Sequence, residues 1–262
     1  AMFADEPFRK QMNLSAVNSI NWARIMAQVV YYFWAAVHLG APHRPVAFSV
    51  PTGNFGNVFA AKVAARMGLP VSKLVVGSNR NDILTRFLET GAMTTQGVIP
   101  TLSPSMDIQV SSNFERLLFE VLDRDAKAVH RLMDQLKQSG SYEVPAAVHA
   151  RILEQFAGSR LDDEGTKKVI GDVFERTGQL IDPHTAVGVY AARAADLDPS
   201  TPRITMATAH PAKFPDAVKS AIGVQPPLPE KLANLFDLQE RFEILDANLD
   251  EVQAFIRAQV NG

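Results

Sequence analysis

Residues 51–57 form the densest group of polar and glycine residues that could bind an anion. They read Pro-Thr-Gly-Asn-Phe-Gly-Asn and lie between an apolar run typical of a buried strand, 45–50, and a helical pattern, 58–67. Gly53 and Gly56 are expected to take positive φ angles and to bring backbone N–H groups close to a ligand. The positive end of the following helix points at the same place. The segment therefore predicts a site for a phosphate-bearing molecule.

The side chains of this turn strengthen that prediction. The amides of Asn54 and Asn57 and the hydroxyl of Thr52 can donate hydrogen bonds to phosphate oxygens. The turn lacks the Gly-Lys-Ser/Thr ending of a P-loop and the Gly-x-Gly-x-x-Gly spacing of a dinucleotide-binding motif. Because many strand-to-helix loops need glycine for steric reasons alone, the turn by itself leaves phosphate binding and a purely structural role open.

Two further clusters could contribute to the same site. Thr208 and Lys213 follow a strand predicted at 204–207, and ligands of an open parallel sheet lie beyond the carboxyl ends of its strands. Arg24 lies in the polar first turn of a long apolar helix and could bind a phosphate. Each cluster also has a structural interpretation, the first as a strand-to-helix loop and the second as a helix cap.

Other polar segments have simpler explanations. The sequence Asp-Pro-His-Thr at 182–185 is typical of a helix start, with the aspartate as N-cap and the proline in the first turn. Residues 79–82 are typical of a helix cap. The six histidines show no metal-ligand spacing, and the chain has no cysteine. We therefore predict no metal site, and thiolate chemistry is excluded.

The charge balance and the apolar runs limit the partners. The net charge is −2, from 26 basic and 28 acidic residues spread along the chain. The sequence therefore shows no basic patch of the kind that binds nucleic acid. The longest apolar run, 29–37, is nine residues long, far short of the ~20 that span a bilayer. The first residues do not resemble a secretory signal. We expect a cytoplasmic protein that binds small molecules and neither nucleic acid nor membranes.

Strand and helix patterns alternate along much of the chain, which favours an α/β fold with a mostly parallel sheet covered by helices. Strands are predicted at 45–50, 73–77, 107–110 and 204–207. Helices are predicted at 16–39, where Val17 and Ile20 begin the apolar pattern, and at 58–67, 82–89, 114–121, 183–195, 211–221 and 249–260.

The character of the sequence changes at residue 123, where a charge-rich and helical stretch begins. We expect residues 1–122 to form the first part of an α/β domain and 123–179 to form a charged helical insertion or subdomain. Residues 180–225 are then the remainder of the α/β domain, and 226–262 are a C-terminal connector and helix.

Five segments, in their order along the chain, together resemble threonine synthases of the bacterial and fungal type. They are Asn18-Ser19-Ile20-Asn21-Trp22-Ala23-Arg24, Pro51-Thr52-Gly53-Asn54-Phe55-Gly56-Asn57, Asn79-Arg80-Asn81-Asp82, Asp182-Pro183-His184-Thr185-Ala186-Val187-Gly188 and Ala207-Thr208-Ala209-His210-Pro211-Ala212-Lys213-Phe214. The resemblance runs from near Phe3 almost to the C-terminus. It implies the tryptophan-synthase-β-like fold of fold type II pyridoxal 5'-phosphate (PLP) enzymes, with the α/β domain as the cofactor-binding domain.

The resemblance also implies roles for individual residues. Thr208 would hydrogen-bond the pyridine nitrogen of PLP, and the turn would hold the cofactor phosphate through Gly53, Asn54, Phe55, Gly56 and Asn57. Candidates for binding the phosphate or carboxylate of the substrate are Asn18, Ser19, Arg24 and Lys213. The implied reaction converts O-phospho-L-homoserine and water into L-threonine and phosphate, the last step of threonine biosynthesis.

One departure from the family matters. Its Schiff-base lysine has a Phe-Lys-Asp-like context in an N-terminal region, and none of the ten lysines here is followed by aspartate. We therefore expect no catalytic residue in this chain, a lysine-bearing N-terminal domain of the same enzyme as its partner, and no turnover by the chain alone. Two alternatives stay open, another fold type II PLP lyase or dehydratase and a non-catalytic phosphate-binding module.

Overall fold

The computed structural model describes residues 2–16 and 18–261, which form two compact units. The first unit joins the two ends of the chain, Ala1–Asn18 and Leu228–Gly262, and the second is Ser19–Pro227. The helices are α1 (Glu6–Gln11), α2 (Trp22–His38), α3 (Gly56–Arg66), α4 (Ile83–Thr90), α5 (Phe114–Val121), α6 (Ala126–Ser139), α7 (Ala146–Gln155), α8 (Asp163–Thr177), α9 (Pro183–Ala194), α10 (Pro215–Ile222) and α11 (Leu249–Asn261). The strands are β1 (Val46–Pro51), β2 (Val71–Ser78), β3 (Ala92–Thr94), β4 (Ser141–Glu143), β5 (Phe156–Arg160) and β6 (Arg203–Thr205).

A four-stranded parallel sheet forms the centre of the second unit. Its strand order is β5-β2-β1-β6, and Phe48 of β1 lies opposite Leu74 of β2 and Ile204 of β6. Every residue of β1 is buried, as expected for a central strand covered on both faces. β3 and β4 form a separate antiparallel pair.

The two faces of the sheet differ in side-chain size. Phe48, Val50 and Leu74 belong to the main apolar cluster, which also contains residues of α2 and α3. On the other face, Ser49 donates a hydrogen bond of 2.7 Å to the carbonyl oxygen of Gly188 in α9. A Cβ at Gly77 would lie 3.2 Å from a methyl carbon of Val187, so this face needs small residues for α9 to pack closely. The predicted α/β class with a parallel sheet covered by helices is confirmed.

Four sequence-based predictions of elements need correction. The helix predicted at 16–39 begins at Trp22, because the side chain of Asn21 caps it by accepting from the N–H of Ala23; Val17 lies outside the described residues. The strand predicted at 107–110 is irregular backbone after a 3₁₀ turn, Pro104–Met106, since the Asp107 carboxylate binds neighbouring loops rather than continuing a ladder.

The other two corrections concern a helix and the charged segment. The helix predicted at 211–221 is divided into a 3₁₀ turn, Pro211–Lys213, and α10, because Pro215 has no N–H to continue the first turn and starts a new helix instead. Residues 123–179 are not all helical. β5 lies within them and pairs in parallel with β2, which extends the central sheet.

The first unit is held by contacts between its two ends. Asp5 caps α1 by accepting from the N–H of Phe8, and its other carboxylate oxygen accepts from the Gln253 side chain of α11 at 2.9 Å. The hydrogen bond from Gln253 has the largest effect in lowering the pKa of Asp5, and the one from the N–H of Phe8 lowers it further. The guanidinium of Arg257 lies 4.8 Å from the ring centre of Phe8. Across the described part of the chain, no helix has the length and apolarity needed to cross a membrane.

Candidate functional site

The turn between β1 and α3 has a backbone that differs from the one expected. Gly53 and Gly56 do not take positive φ angles; instead Phe55, the N-cap of α3, has φ of 61°. The glycines are required for space. A Cβ at Gly53 would lie 2.7 Å from the carbonyl oxygen of Ser105, and one at Gly56 would lie 3.2 Å from the Cβ of Ser19.

The backbone of this turn presents unpaired hydrogen-bond donors. Within the described chain, none of the N–H groups of residues 53–57 donates a hydrogen bond, whereas the N–H of Thr52 is used in pairing with Gly77. The N–H groups at 56 and 57 belong to the first turn of α3, which has no intrahelical acceptor for them. The partial positive charge of the helix N-terminus adds to the same attraction for an anion.

Neighbouring residues also orient the two asparagine amides. The buried hydroxyl of Tyr32 lies 2.6 Å from Oδ1 of Asn57 and donates to it, and Oδ1 of Asn54 accepts from Ser112 at 3.2 Å. Because both amide oxygens are engaged, each Nδ2 is left as a donor. Burial raises the pKa of Tyr32 well above its ordinary value, so the phenol keeps the proton that it donates.

The carbonyl side of the turn is anchored by a neighbouring loop. The hydroxyl of Ser111 donates to the carbonyl oxygen of Gly53 at 2.8 Å, and the amide of Asn113 donates to that of Asn54 at 2.9 Å. The ring of Phe55 is buried and packs edge-on against Phe114 at 5.0 Å. The acceptors of the turn are thus satisfied by protein, while its donors stay available to a ligand.

These donors face a cavity of about 630 Å³. Its lining residues are Ser19, Arg24, Gln28, Tyr31, Pro51, Thr52, Gly53, Asn54, Phe55, Gly56, Asn57, Ser105, Met106, His184, Met206, Ala207, Thr208, Ala209, Lys213 and Phe214. Two of them, Arg24 and Lys213, are cationic, and no carboxylate is among the lining residues that the structure describes. A cavity with this charge balance favours an anionic ligand.

Thr208 lies at the tip of β6 and lines the same cavity as the turn. Residues 206–209 follow β6 directly, and β6 pairs with β1, so the carboxyl ends of both strands open on the same edge of the sheet. The side chain of Thr208 is exposed and hydrogen-bonds none of the described residues. Its hydroxyl is therefore free to donate or to accept at the cavity surface.

Another cavity residue, His184, is held from both sides of its ring. Nδ1 lies 2.8 Å from Oδ1 of Asp182, and Nε2 accepts from the backbone N–H of Ser105 at 3.2 Å. An accepting Nε2 carries no proton, so the ring proton is on Nδ1 and is donated to Asp182. Asp182 is fully buried and also caps α9 by accepting from the N–H groups of His184 and Thr185.

The structure brings together most of the residues singled out from the sequence. The turn, Thr208, Ser19, Arg24 and Lys213 all line this cavity. Asn18 belongs to the other unit and is not a lining residue, so its role stays a prediction.

Several lining residues are not among those predicted from the sequence. Gln28 and Tyr31 follow Arg24 at i+4 and i+7, and this helical spacing could have identified them. Ser105 and Met106 reach the cavity only through the path of their loop, for which the sequence gives no signal. His184 was interpreted only as part of a helix start.

Comparisons with known proteins show what this chain is similar to. A family model described as "Threonine synthase, C-terminal" matches residues 185–256. The threonine synthase of Pseudomonas aeruginosa is 53% identical over 262 residues, which cover 100% of this chain and 56% of that protein.

Two solved structures are similar over the whole chain. The crystal structure titled as PLP-bound threonine synthase from Brucella melitensis has a TM-score of 0.96 at 51% identity and covers 100% of this chain and 56% of that one. Yeast threonine synthase has a TM-score of 0.88 at 37% identity, with coverage of 100% and 55%. The chain thus spans about half the length of the relatives it matches. By sequence and by structure, the chain is similar over its whole length to about half of a threonine synthase.

Proposed function

We propose that this chain is part of a PLP-dependent threonine synthase and that it holds the phosphate of the cofactor. One observation carries the proposal. The unpaired donors of residues 53–57 and the free hydroxyl of Thr208 line one cavity that has cationic but no acidic side chains among its described lining. Similarity to threonine synthases over the whole chain supports it.

The residues present fit PLP. Its phosphate would accept from the N–H groups of residues 53–57 and from the amides of Asn54 and Asn57, while Thr208 would meet the pyridine nitrogen. When bound, PLP supplies an electron sink for bonds at the α-carbon of an amino acid. Because Thr208 is a neutral partner, it would leave the pyridine nitrogen largely unprotonated and thereby limit how strongly the ring withdraws electrons.

We propose O-phospho-L-homoserine as the substrate. It carries a second phosphate and a carboxylate, and the two cations of the cavity, Arg24 and Lys213, would bind these groups. Gln28 and Tyr31 line the cavity on the same helix as Arg24 and add polar contacts. Arg24 and Lys213 would also stabilise the phosphate as it leaves, since cations lower the energy of a developing anion.

The Schiff-base lysine is proposed to come from the part of the enzyme that this chain does not span. Lys213 is the one lysine that lines the described cavity, and it is assigned here to the substrate. The partner is proposed to be the N-terminal domain of the same polypeptide. We also propose that the complete enzyme is cytoplasmic. We propose that the N-terminal domain binds the exposed face of α2, where Met26, Val30, Trp34 and Val37 are each more than half exposed. An exposed face made of several large apolar side chains commonly marks an interface with another protein segment.

The test is turnover by the complete enzyme that contains this chain. We expect release of phosphate and L-threonine from O-phospho-L-homoserine, no comparable turnover of L-serine or L-threonine, and no turnover by the 262-residue chain alone with added PLP. Preferred turnover of serine or threonine would instead identify another lyase. PLP binding without any turnover by the complete polypeptide would indicate a non-catalytic module.

A further inference from the structure

We propose that His184 is a positioning residue that holds residues 103–107, the wall segment, against the phosphate-binding turn. The inference rests on the proposed function, since it concerns how the same site is kept in shape. Nothing in the sequence of the wall segment predicts this contact. It follows from where the histidine ring and the segment meet at the cavity.

The histidine ring is fixed before it contacts the wall segment. Oδ1 of Asp182 accepts a hydrogen bond from Nδ1 at 2.8 Å, and Asp182 is itself fixed as the N-cap of α9. The ring also packs against Phe214, with ring centres 4.7 Å apart. His184 is only 3% exposed, so its ring has little freedom to turn. Nε2 is therefore presented in one direction, towards the N–H of Ser105 at 3.2 Å.

A second set of hydrogen bonds holds the two ends of the wall segment. Oδ1 of Asp107 accepts from the amides of Asn79 and Asn81 at 2.8 and 2.9 Å, and its Oδ2 accepts from the N–H of Thr101. Both asparagines are almost completely buried. Asn79 also donates to the hydroxyl of Ser103 at 2.9 Å. The segment is thus fixed at 103 and 107 by this network and in its middle by His184.

The fixed wall segment controls the shape of the phosphate site. The carbonyl oxygen of Ser105 and the Cα of Met106 lie 2.7 and 3.2 Å from where a Cβ at Gly53 would be. Ser105 and Met106 also line the cavity. Because donors must be held within a few tenths of an ångström to bind an anion well, a shift of the wall segment would weaken binding without removing any donor.

Two substitutions separate the two hydrogen bonds of the histidine. His184→Asn places an amide near the position of Nδ1, so it can still donate to Asp182 but cannot reach Ser105. His184→Gln reaches about as far as Nε2 and can still accept from Ser105. The probes are inorganic phosphate, followed by ³¹P NMR, and PLP, followed by absorbance, each titrated into the 262-residue chain. Amide hydrogen exchange at Ser105 reports the contact directly.

We expect His184→Asn to weaken the binding of both probes about tenfold, the effect of losing one hydrogen bond, and to speed exchange at Ser105. His184→Gln should bind both within about threefold of wild type. Equal loss in the two variants, or no loss in His184→Asn, would overturn the positioning role while leaving the proposed function intact. If the backbone amide of Ser105 shows no protection from hydrogen exchange in the wild type, the positioning role is overturned even if both variants unfold. Failure of the wild type to bind either probe would overturn both proposals.

Discussion

Gly53 and Ser105 approach so closely that no side chain fits between them. A Cβ built on Gly53 would lie 2.7 Å from the carbonyl oxygen of Ser105, a distance that real Cβ atoms essentially never show. The obstacle is backbone rather than a flexible side chain. The turn at residues 53–57 and the wall segment are therefore packed against each other, and the shape of one sets the shape of the other.

Gly53→Ala should force these two segments apart. We expect a loss of stability of about 1–3 kcal/mol, typical of overpacking, and at least tenfold weaker phosphate binding. Gly171→Ala is the matched control, because a Cβ at Gly171 meets nothing within 4 Å and alanine favours its helix, α8. Thermal unfolding and phosphate titration measure the two effects. Unchanged phosphate affinity in Gly53→Ala would show that the contact does not shape the site.

Asn57→Asp should remove an amide donor and place a negative charge beside the bound phosphate. We expect PLP affinity to fall by about ten- to a hundredfold, corresponding to the loss of a hydrogen bond to a charged group. Asn248→Asp is the control, since Asn248 accepts from two backbone N–H groups at the start of α11 and aspartate can do the same. Equal PLP affinity in Asn57→Asp and wild type would exclude Asn57 from the phosphate site.

Tyr32 should make stability depend on alkaline pH. Burial raises the pKa of its phenol in the folded state above the unfolded value, so the folded chain binds the proton more tightly. This contribution to stability is complete below the unfolded pKa of about 10 and is lost as pH rises through the higher folded pKa.

In Tyr32→Phe, the decline of the unfolding free energy above pH 10 should be shallower by up to about 1.4 kcal/mol per pH unit. Chemical denaturation between pH 8 and 11 measures the slope. Burial also raises the pKa of Tyr142, so Tyr142→Phe shows what an unrelated buried phenol contributes. A Tyr32→Phe slope equal to that of the wild type would mean that Tyr32 does not titrate differently on unfolding.

Lys213 should not form the covalent bond to PLP. After incubation of the 262-residue chain with PLP and reduction by borohydride, mass spectrometry should find no stoichiometric pyridoxyl group on Lys213. In the complete enzyme, Lys213→Arg keeps the charge and should retain turnover better than Lys213→Ala, which should show the higher KM for O-phospho-L-homoserine. A fully modified Lys213 would contradict both its assignment to the substrate and the expected position of the Schiff-base lysine.

The exposed face of α2 should become covered in the complete enzyme. When the polypeptide that supplies the remaining length is added, Trp34 fluorescence should shift to shorter wavelength, and Val30→Lys should weaken association at least tenfold. Val98→Lys is the control, because Val98 is exposed to a similar degree but lies in a loop outside α2. Association that tolerates Val30→Lys would place the interface elsewhere.

The alternation of strands and helices predicted three of the four strands of the central sheet, β1, β2 and β6, because these strands have recognisable apolar patterns of their own. The predicted bounds of β1 and α9 differ from the observed ones by no more than one residue. The start of α9 was clear because Asp182 and Pro183 mark it. β5 was missed because its sequence, Phe-Ala-Gly-Ser-Arg, has too few apolar residues for a strand pattern. Its pairing with β2 depends on tertiary contacts that a local pattern does not contain.

The candidate site could be predicted only where its residues are adjacent in sequence or share a helix. The turn was found from its glycines, but the reason for them was not: they make room for Ser105 and Ser19, and Phe55 takes the positive φ. His184 was hidden by its position in a helix start. Its contact with Ser105 joins residues 79 positions apart, which no spacing rule predicts.

We propose that the donors of residues 53–57 hold the phosphate of PLP while Thr208 faces its ring. The most direct measurement is the change in ¹H–¹⁵N amide shifts as PLP, and separately inorganic phosphate, is added to the chain. We expect PLP to shift the amides of residues 53–57 together with that of Thr208, and inorganic phosphate to shift the amides of residues 53–57 far more than that of Thr208. Saturable PLP binding that leaves residues 53–57 unshifted would contradict it.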